Sequence, residues 1–310
     1  AGLDLKWALM ARKRKGNPVS GWVILDKPFS LGSTPSVGRV RRLFSAQKAG
    51  HAGTLDPLAT GILPIALGEA TKTVSFLMDA QKTYEFTLTF GENTDTLDKE
   101  GKVISISEVR PTAEAIKGQL KNFIGIINQV PPRYSAIKIN GKRSYELARS
   151  GQVVDIKSRQ VLVETFTLTK HDENSSSFRV ICGKGTYIRS LARDLALSLN
   201  ACGHVTMLRR TSVGPFNLND SFSLDELENL CHRGDVLKAL RPVETALDDI
   251  PVLAVTEFEA TELKHGRAIV NKLAGSVEYP DWILAMLDNK AVAICSTSEG
   301  YHKPKKVFNL

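Results

Sequence analysis

Between Thr83 and Phe90 apolar and polar residues alternate without a break. Tyr84, Phe86, Leu88 and Phe90 share one face; Thr83, Glu85, Thr87 and Thr89 share the other. A two-residue period marks a strand with one face buried. Such a strand needs sheet neighbours and something apolar to lie on. Trp22-Val23-Ile24-Leu25 reads as a buried strand that ends at Asp26-Lys27-Pro28. Residues 161–169 and 178–182 read as two more. The clearest helix covers 186–199, where Ile188, Leu191, Ala192, Leu195 and Leu199 form one stripe. Thr186 is placed to cap it. Arg189 lies about 100° around the helix from Ile188, off the stripe, and is free to reach a site at that end. Pro35 and Ser36 open another helix, with Val37, Val40, Leu43 and Phe44 on one face. Residues 112–123 form a third around Ile116, Leu120 and Phe123, and 144–150 a short one ended by Gly151. Residues 49–68 are rich in Gly, Ala, Thr and Pro, which predicts an ordered loop with turns and no regular element. Strands and helices come in mixed order, without regular βαβ alternation. The expected class is α+β with a largely antiparallel sheet.

A boundary is expected near residue 250, where an acidic stretch meets Ile250-Pro251. Residues 1–17 then form a basic N-terminal extension carrying Arg12-Lys13-Arg14-Lys15, 18–249 the main domain, and 250–310 a small β-rich module. Residues 1–9 read as an upstream extension, with Met10 the more natural start. The formal net charge is +8 and the pI about 9.3. Charge is also segregated: up to residue 60 ten Lys and Arg face only Asp4, Asp26 and Asp56, whereas Asp220 to Glu262 is acidic. A basic face suits a polyanionic partner, and equally a solvated surface with none. The cysteines, Cys182, Cys202, Cys231 and Cys295, are widely spaced with no CxxC pair. That predicts neither a zinc site nor a disulfide framework, but reduced thiols in the cytoplasm. No apolar run approaches the ~18 residues of a membrane span, and no apolar secretory signal opens the chain.

Four segments carry polar chemistry. Gly50-His51-Ala52-Gly53-Thr54-Leu55-Asp56-Pro57-Leu58-Ala59-Thr60-Gly61 surrounds one carboxylate with small residues, so a substrate could approach it closely. An Asp-Pro pair is also an ordinary turn. His51 is flat enough to stack on a base. In Lys82-Thr83-Tyr84 the tyrosine either serves a site or simply joins the apolar face. Gly183-Lys184-Gly185-Thr186-Tyr187-Ile188-Arg189 is a helix start, or an anion or carboxylate clamp at one. Pro131-Pro132-Arg133-Tyr134-Ser135-Ala136-Ile137-Lys138, with Lys142-Arg143, suits an RNA strand or a surface hairpin. None of them decides a function alone.

Taken in order, these segments resemble the TruB family of tRNA pseudouridine-55 synthases. GHAGTLDPLATGILPIALGEATK (50–72), PPRYSAIK, CGKGTYIRSLARDL and HVTMLRRTSVGPF carry the resemblance, which runs from Gly21 to Phe216. It implies a pseudouridine synthase fold with a mixed, mainly antiparallel sheet, followed by a PUA-type RNA-binding module. It also implies isomerisation of a T-loop uridine in tRNA by a stand-alone enzyme: a monomer acting on the tRNA T arm, without guide RNA, metal or cofactor. By resemblance Asp56 is the catalytic carboxylate, Tyr84 the active-site tyrosine and Arg189 the arginine that pairs with the aspartate. Tyr187 and Leu208 line the uracil pocket. His51 fills the space left when the uridine unstacks. Asp98 is a polar pocket residue, and Lys27 supports the active-site loops. The family pattern DKPxGxTS departs here to Asp26-Lys27-Pro28-Phe29-Ser30-Leu31-Gly32-Ser33, with Ser30 at the usual glycine and Gly32 at the usual threonine. The expectation is an altered turn, since only glycine enters positive φ freely. Two rival readings are a silent RNA-binding protein or chaperone, and the guide-RNA-dependent branch of the same superfamily.

Overall fold

The computed structural model describes residues 16–135, 138–139, 142–143, 156–271, 280–298 and 300–310. The short helix expected at 144–150, and all but the last residues of the N-terminal extension, lie outside them.

The strands in chain order are β1 (Gly21–Lys27), β2 (Ala49–His51), β3 (Thr60–Leu67), β4 (Lys82–Phe90), β5 (Glu92–Thr94), β6 (Val103–Ile106), β7 (Gly125–Gln129), β8 (Lys138–Ile139), β9 (Lys142–Arg143), β10 (Arg159–Asp172), β11 (Ser175–Cys182), β12 (Gly203–Val213), β13 (Phe216–Asn217), β14 (Val252–Ala254), β15 (Ile269–Val270), β16 (Trp282–Leu287), β17 (Lys290–Ser298) and β18 (Tyr301–Val307). The helices are α1 (Ser33–Leu43), α2 (Val74–Asp79), α3 (Ala113–Leu120), α4 (Ile188–Ser198), α5 (Leu224–His232) and α6 (Glu257–Lys264). The main sheet runs β1-β3-β12-β4-β11-β10-β7, with β2 against β3 and β13 against β12. Its pairs are antiparallel except β12 beside β3. The sheet is therefore mixed and mainly antiparallel, in an α+β fold.

The alternating strand is β4, in the middle of this sheet. Phe86 and Leu88 are fully buried. Phe86 stacks on Phe178 of β11 with ring centroids 5.1 Å apart. Helices α3 and α4 close that face with Ile116, Ile188, Leu191 and Leu195. Burying one such side chain contributes about 1.5–3 kcal/mol.

Residues 49–68 are not the loop their composition predicts. They hold β2 and β3, and Ile62, Leu63, Ile65, Ala66 and Leu67 are all fully buried. β3 has apolar cores on both faces, so its run is continuous instead of alternating. Pro64 survives inside it because β1 lies on one side while β2 and β12 cover only parts of the other. Helix α1 starts at Ser33, two residues before the expected Pro35. Helix α4 starts at Ile188, and the Thr186 hydroxyl turns back to the Gly183 carbonyl at 3.1 Å instead of capping.

β14–β18 form a second sheet, ordered β14-β16-β17-β18-β15. It packs on the outer face of β1 and β3: Leu284, Ile294 and Phe308 share one core with Trp22, Ile24 and Ile62. Lys72 Nζ donates to the Val307 carbonyl at 2.7 Å, and the Asn309 amide to Glu69 at 2.8 Å. Among the described residues no helix is long and apolar enough to cross a membrane.

Candidate active site

Asp56 sits on the connection from β2 to β3. That connection has no regular element of its own, and three side chains from outside hold it. Ser33, at the start of α1, both donates to the Leu55 carbonyl (2.9 Å) and accepts from the Leu55 amide (2.8 Å). Lys27, at the end of β1, is fully buried and donates to the carbonyls of Pro28 (2.9 Å), Leu31 (2.6 Å) and Pro57 (3.2 Å). Burial lowers its ammonium to about 8, against the raising pull of Asp56. Arg210, on β12, donates from Nη2 to the Gly53 carbonyl (2.9 Å) and from Nε to the Ile62 carbonyl (2.7 Å).

Ser30 takes φ 64°, the left-handed region that glycine enters freely, so the serine bears strain in this turn. Gly32 is extended at φ −72° and ψ 159°, a conformation open to threonine, and caps α1 without a side chain.

Arg189 approaches from the first turn of α4. Its Nε lies 2.8 Å from Asp56 Oδ2; the arginine side chain is 5% exposed and the aspartate 36%. The N–H is not aligned on an acceptor, so the contact is an ion pair, not a directed hydrogen bond. Nη1 donates to the Thr96 carbonyl (2.8 Å) and Nη2 to the Tyr134 carbonyl (2.9 Å). The guanidinium is thus fixed by backbone acceptors and spends its free edge on the carboxylate. Asp98 stands farther off, with Oδ2 3.7 Å from Nη1. Its Oδ1 accepts from Thr96 Oγ1 (2.6 Å) and the Glu100 amide (3.0 Å).

Asp56, Asp98, Arg189 and Leu208 line one cleft, together with Leu58 and Met207. Tyr84 is registered opposite Arg210 across the β4–β12 pair. Burial raises its phenol above the usual range, while Arg210 pulls the other way. His51 lies on β2 with Nδ1 buried and without a hydrogen-bond partner among the described residues. Burial, helped by the Arg210 charge, holds its imidazole below the usual range. Tyr187 precedes α4. Gln129 clamps its backbone, accepting from the amide (2.8 Å) and donating to the carbonyl (3.1 Å), and the Arg159 guanidinium lies 5.0 Å from its ring centre.

Residues 41–188 match the model of the TruB family pseudouridylate synthase N-terminal domain, and 189–248 that of the tRNA pseudouridylate synthase B C-terminal domain. The tRNA pseudouridine synthase B of Caulobacter sp. (strain K31) is 52% identical over 310 residues, covering 97% of this chain and 100% of the relative. That of Bradyrhizobium diazoefficiens is 50% identical, covering 97% and 91%. The chain belongs to the TruB family. Its activity is that of a tRNA pseudouridine synthase, an isomerase, with tRNA as substrate. Among solved structures, a chain of a Cbf5-Nop10-Gar1 complex superposes with a TM-score of 0.72 at 26% identity, over 93% of this chain and 85% of that one. A chain of an H/ACA RNP bound to a substrate RNA containing 2′-deoxyuridine shares the fold at TM-score 0.73 and 23% identity, covering 98% and 93%.

Within this TruB chain the residues singled out in the sequence separate by position. Asp56, Asp98, Arg189 and Leu208 meet at the cleft. Lys27 points at backbone carbonyls beneath the Asp56 connection. Arg210 is the residue that sequence reasoning passed over. Its signal was a basic side chain at a strand position, with glycines at 53 and 61. A Cβ on Gly61 would lie 2.1 Å from the Arg210 carbonyl oxygen, so only glycine lets β3 run beside β12 there.

Proposed function

We propose that the chain converts uridine 55 in the T loop of tRNA to pseudouridine, with Asp56 as the catalytic carboxylate. The observation that carries this reading is the ion pair of Asp56 with a buried Arg189 at the cleft. A uridine in a folded loop cannot rotate while stacked, so the base is flipped into the cleft. The N1–C1′ bond breaks, the base turns, C5 bonds to C1′, and the C5 proton leaves while N1 takes one up. Asp56 attacks the sugar or steadies it while the base is detached. Arg189 orients the carboxylate. Tyr84 stacks on the base, and its phenol relays the proton from C5. Tyr187 and Leu208 line the uracil pocket, Asp98 supplies a polar wall, and His51 fills the space that the uridine leaves. Lys27 supports the connection from behind. No step calls for a metal or redox cofactor.

The enzyme works as a cytoplasmic monomer on the tRNA T arm, without guide RNA. Residues 18–249 form its catalytic domain, and 250–310 a PUA-like module that holds RNA. The test is tritium release from tRNA labelled at uridine C5, with wild type and Asp56→Asn side by side. Release by wild type alone, from the T loop, is expected. Full activity of Asp56→Asn would remove the carboxylate from the mechanism. Tight tRNA binding with no release from either protein would favour a silent RNA-binding role.

A further inference from the structure

We propose that Phe29 and Lys99 form a lip of the cleft that holds the nucleotide next to the flipped uridine, the ring against its base and the ammonium on its phosphate. The inference rests on the cleft being the uridine site, as proposed above. The two residues come from different turns and meet at one place. Phe29 lies between β1 and α1, Lys99 between Asp98 and Glu100, and the Lys99 ammonium stands 6.0 Å from the centre of the Phe29 ring. Lys99 lines the cleft beside Asp56, Asp98 and Arg189. Phe29 is tied to the same rim from beneath. Lys27 binds the carbonyls of Pro28 and Leu31, which bracket it, and that of Pro57, the residue after Asp56. The Asp98 carboxylate fixes the other turn by accepting from Thr96 and from the Glu100 amide. Both backbones are held while both side chains remain open to solvent.

Packing accounts for neither residue. Phe29 is 53% exposed and belongs to none of the buried cores. Lys99 is exposed and makes no ion pair among the described residues. A bare aromatic ring beside an unpaired cation suits a single RNA strand: any base stacks on the ring, and the phosphate takes the charge. At 6.0 Å the ammonium is at the outer limit of its attraction to the ring, so a phosphate draws it away easily and the ring face is uncovered. A uridine that leaves the stack also deprives its neighbour of a stacking partner, and the ring supplies a substitute. The occupant is therefore a nucleotide of the tRNA substrate itself, continuous with the one in the cleft.

The test is the affinity of the full chain for unmodified T-arm hairpins, with circular dichroism as a check on folding and single-turnover tritium release by wild type followed alongside. Phe29→Ala and Phe29→Leu are each expected to weaken binding of the intact hairpin by about fivefold or more, since leucine keeps the bulk but lacks the π face. Two further hairpins are abasic immediately 5′ or 3′ of the target uridine. One of them should bind wild type about as weakly, and Phe29→Ala should then cost less than about twofold more. Lys99→Gln should lower the slope of log affinity against log salt by about one phosphate contact. Full affinity of Phe29→Leu would overturn the proposal. So would a Phe29→Ala loss that persists on both abasic hairpins, or a Lys99→Gln slope equal to that of wild type. Absence of tritium release by wild type would instead sink the uridine-site reading beneath it, and the binding arms, which need no turnover, keep the two failures apart.

Discussion

The two carboxylates of the cleft are held in opposite ways. Asp56 lies on a connection of small residues with little stiffness of its own. Ser33, Lys27 and Arg210 reach in from three other elements to fix it. Asp98 lies in a turn that holds itself. The Thr94 hydroxyl donates to the Asp98 carbonyl at 2.7 Å, and the Asp98 side chain closes on Thr96 and Glu100. The first arrangement leaves the carboxylate open to a substrate while its backbone is immobilised from behind. The second consumes half of the carboxylate in its own turn. Small flanking residues and external bracing go together: bulky neighbours would stiffen the connection but fill the space a nucleotide needs.

This contrast can be broken at either end. Asp56→Asn is expected to lower the isomerisation rate by at least about 10³-fold with tRNA binding within a few-fold. Asp98→Asn, whose contact with Arg189 is long, should cost no more than about tenfold, read in the same single-turnover assay. Equal losses would mean that the two carboxylates share one task. Next in size is the bracing. Ser33→Ala strands both the amide and the carbonyl of buried Leu55, and urea unfolding should show a loss of about 1–3 kcal/mol. Thr96→Val removes one part-buried bond from the Asp98 turn and should cost about 0.5–1.5 kcal/mol.

The bracing also has a pH signature. Folding lowers Lys27 to about 8 from 10.5, so between those values the unfolded chain binds more protons than the folded one. Stability therefore gains from this group as pH rises through the window, and the gain is absent below it. Lys82, likewise lowered to about 8 by burial, adds in the same direction. Lys27→Met should flatten the stability-against-pH slope above pH 8 by about one proton; an unchanged slope would mean that the ammonium is not desolvated. A comparably small effect is expected at the departure from the family pattern. Ser30→Gly should stabilise by about 1 kcal/mol, since glycine enters the left-handed region freely.

Legibility followed the kind of interaction. The period of β4 and the stripe of α4 were readable because each element declares its own buried face. β3 was not, because a strand buried on both faces loses its alternation and its proline and glycine mimic a loop. Asp56 and Arg189 were paired through the family resemblance; the helix alone put Arg189 off the stripe, in a place that looks solvated. It is buried because carbonyls from Thr96 and Tyr134, remote in sequence, converge on it. Arg210 was hidden for the same reason: its partners, Gly53 and Ile62, are remote from it in sequence.

The join between the two sheets carries a consequence of its own. Leu284, Ile294 and Phe308 complete a core begun by Trp22 and Ile62, and Lys72 and Glu69 stitch the seam to Val307 and Asn309. The C-terminal sheet is thus no pennant on a string. It is built into the same core as β1 and β3, the strands beside the Asp56 connection. Removing it would bare Trp22, Ile24 and Ile62, so these two strands depend for their packing on a sheet remote in sequence.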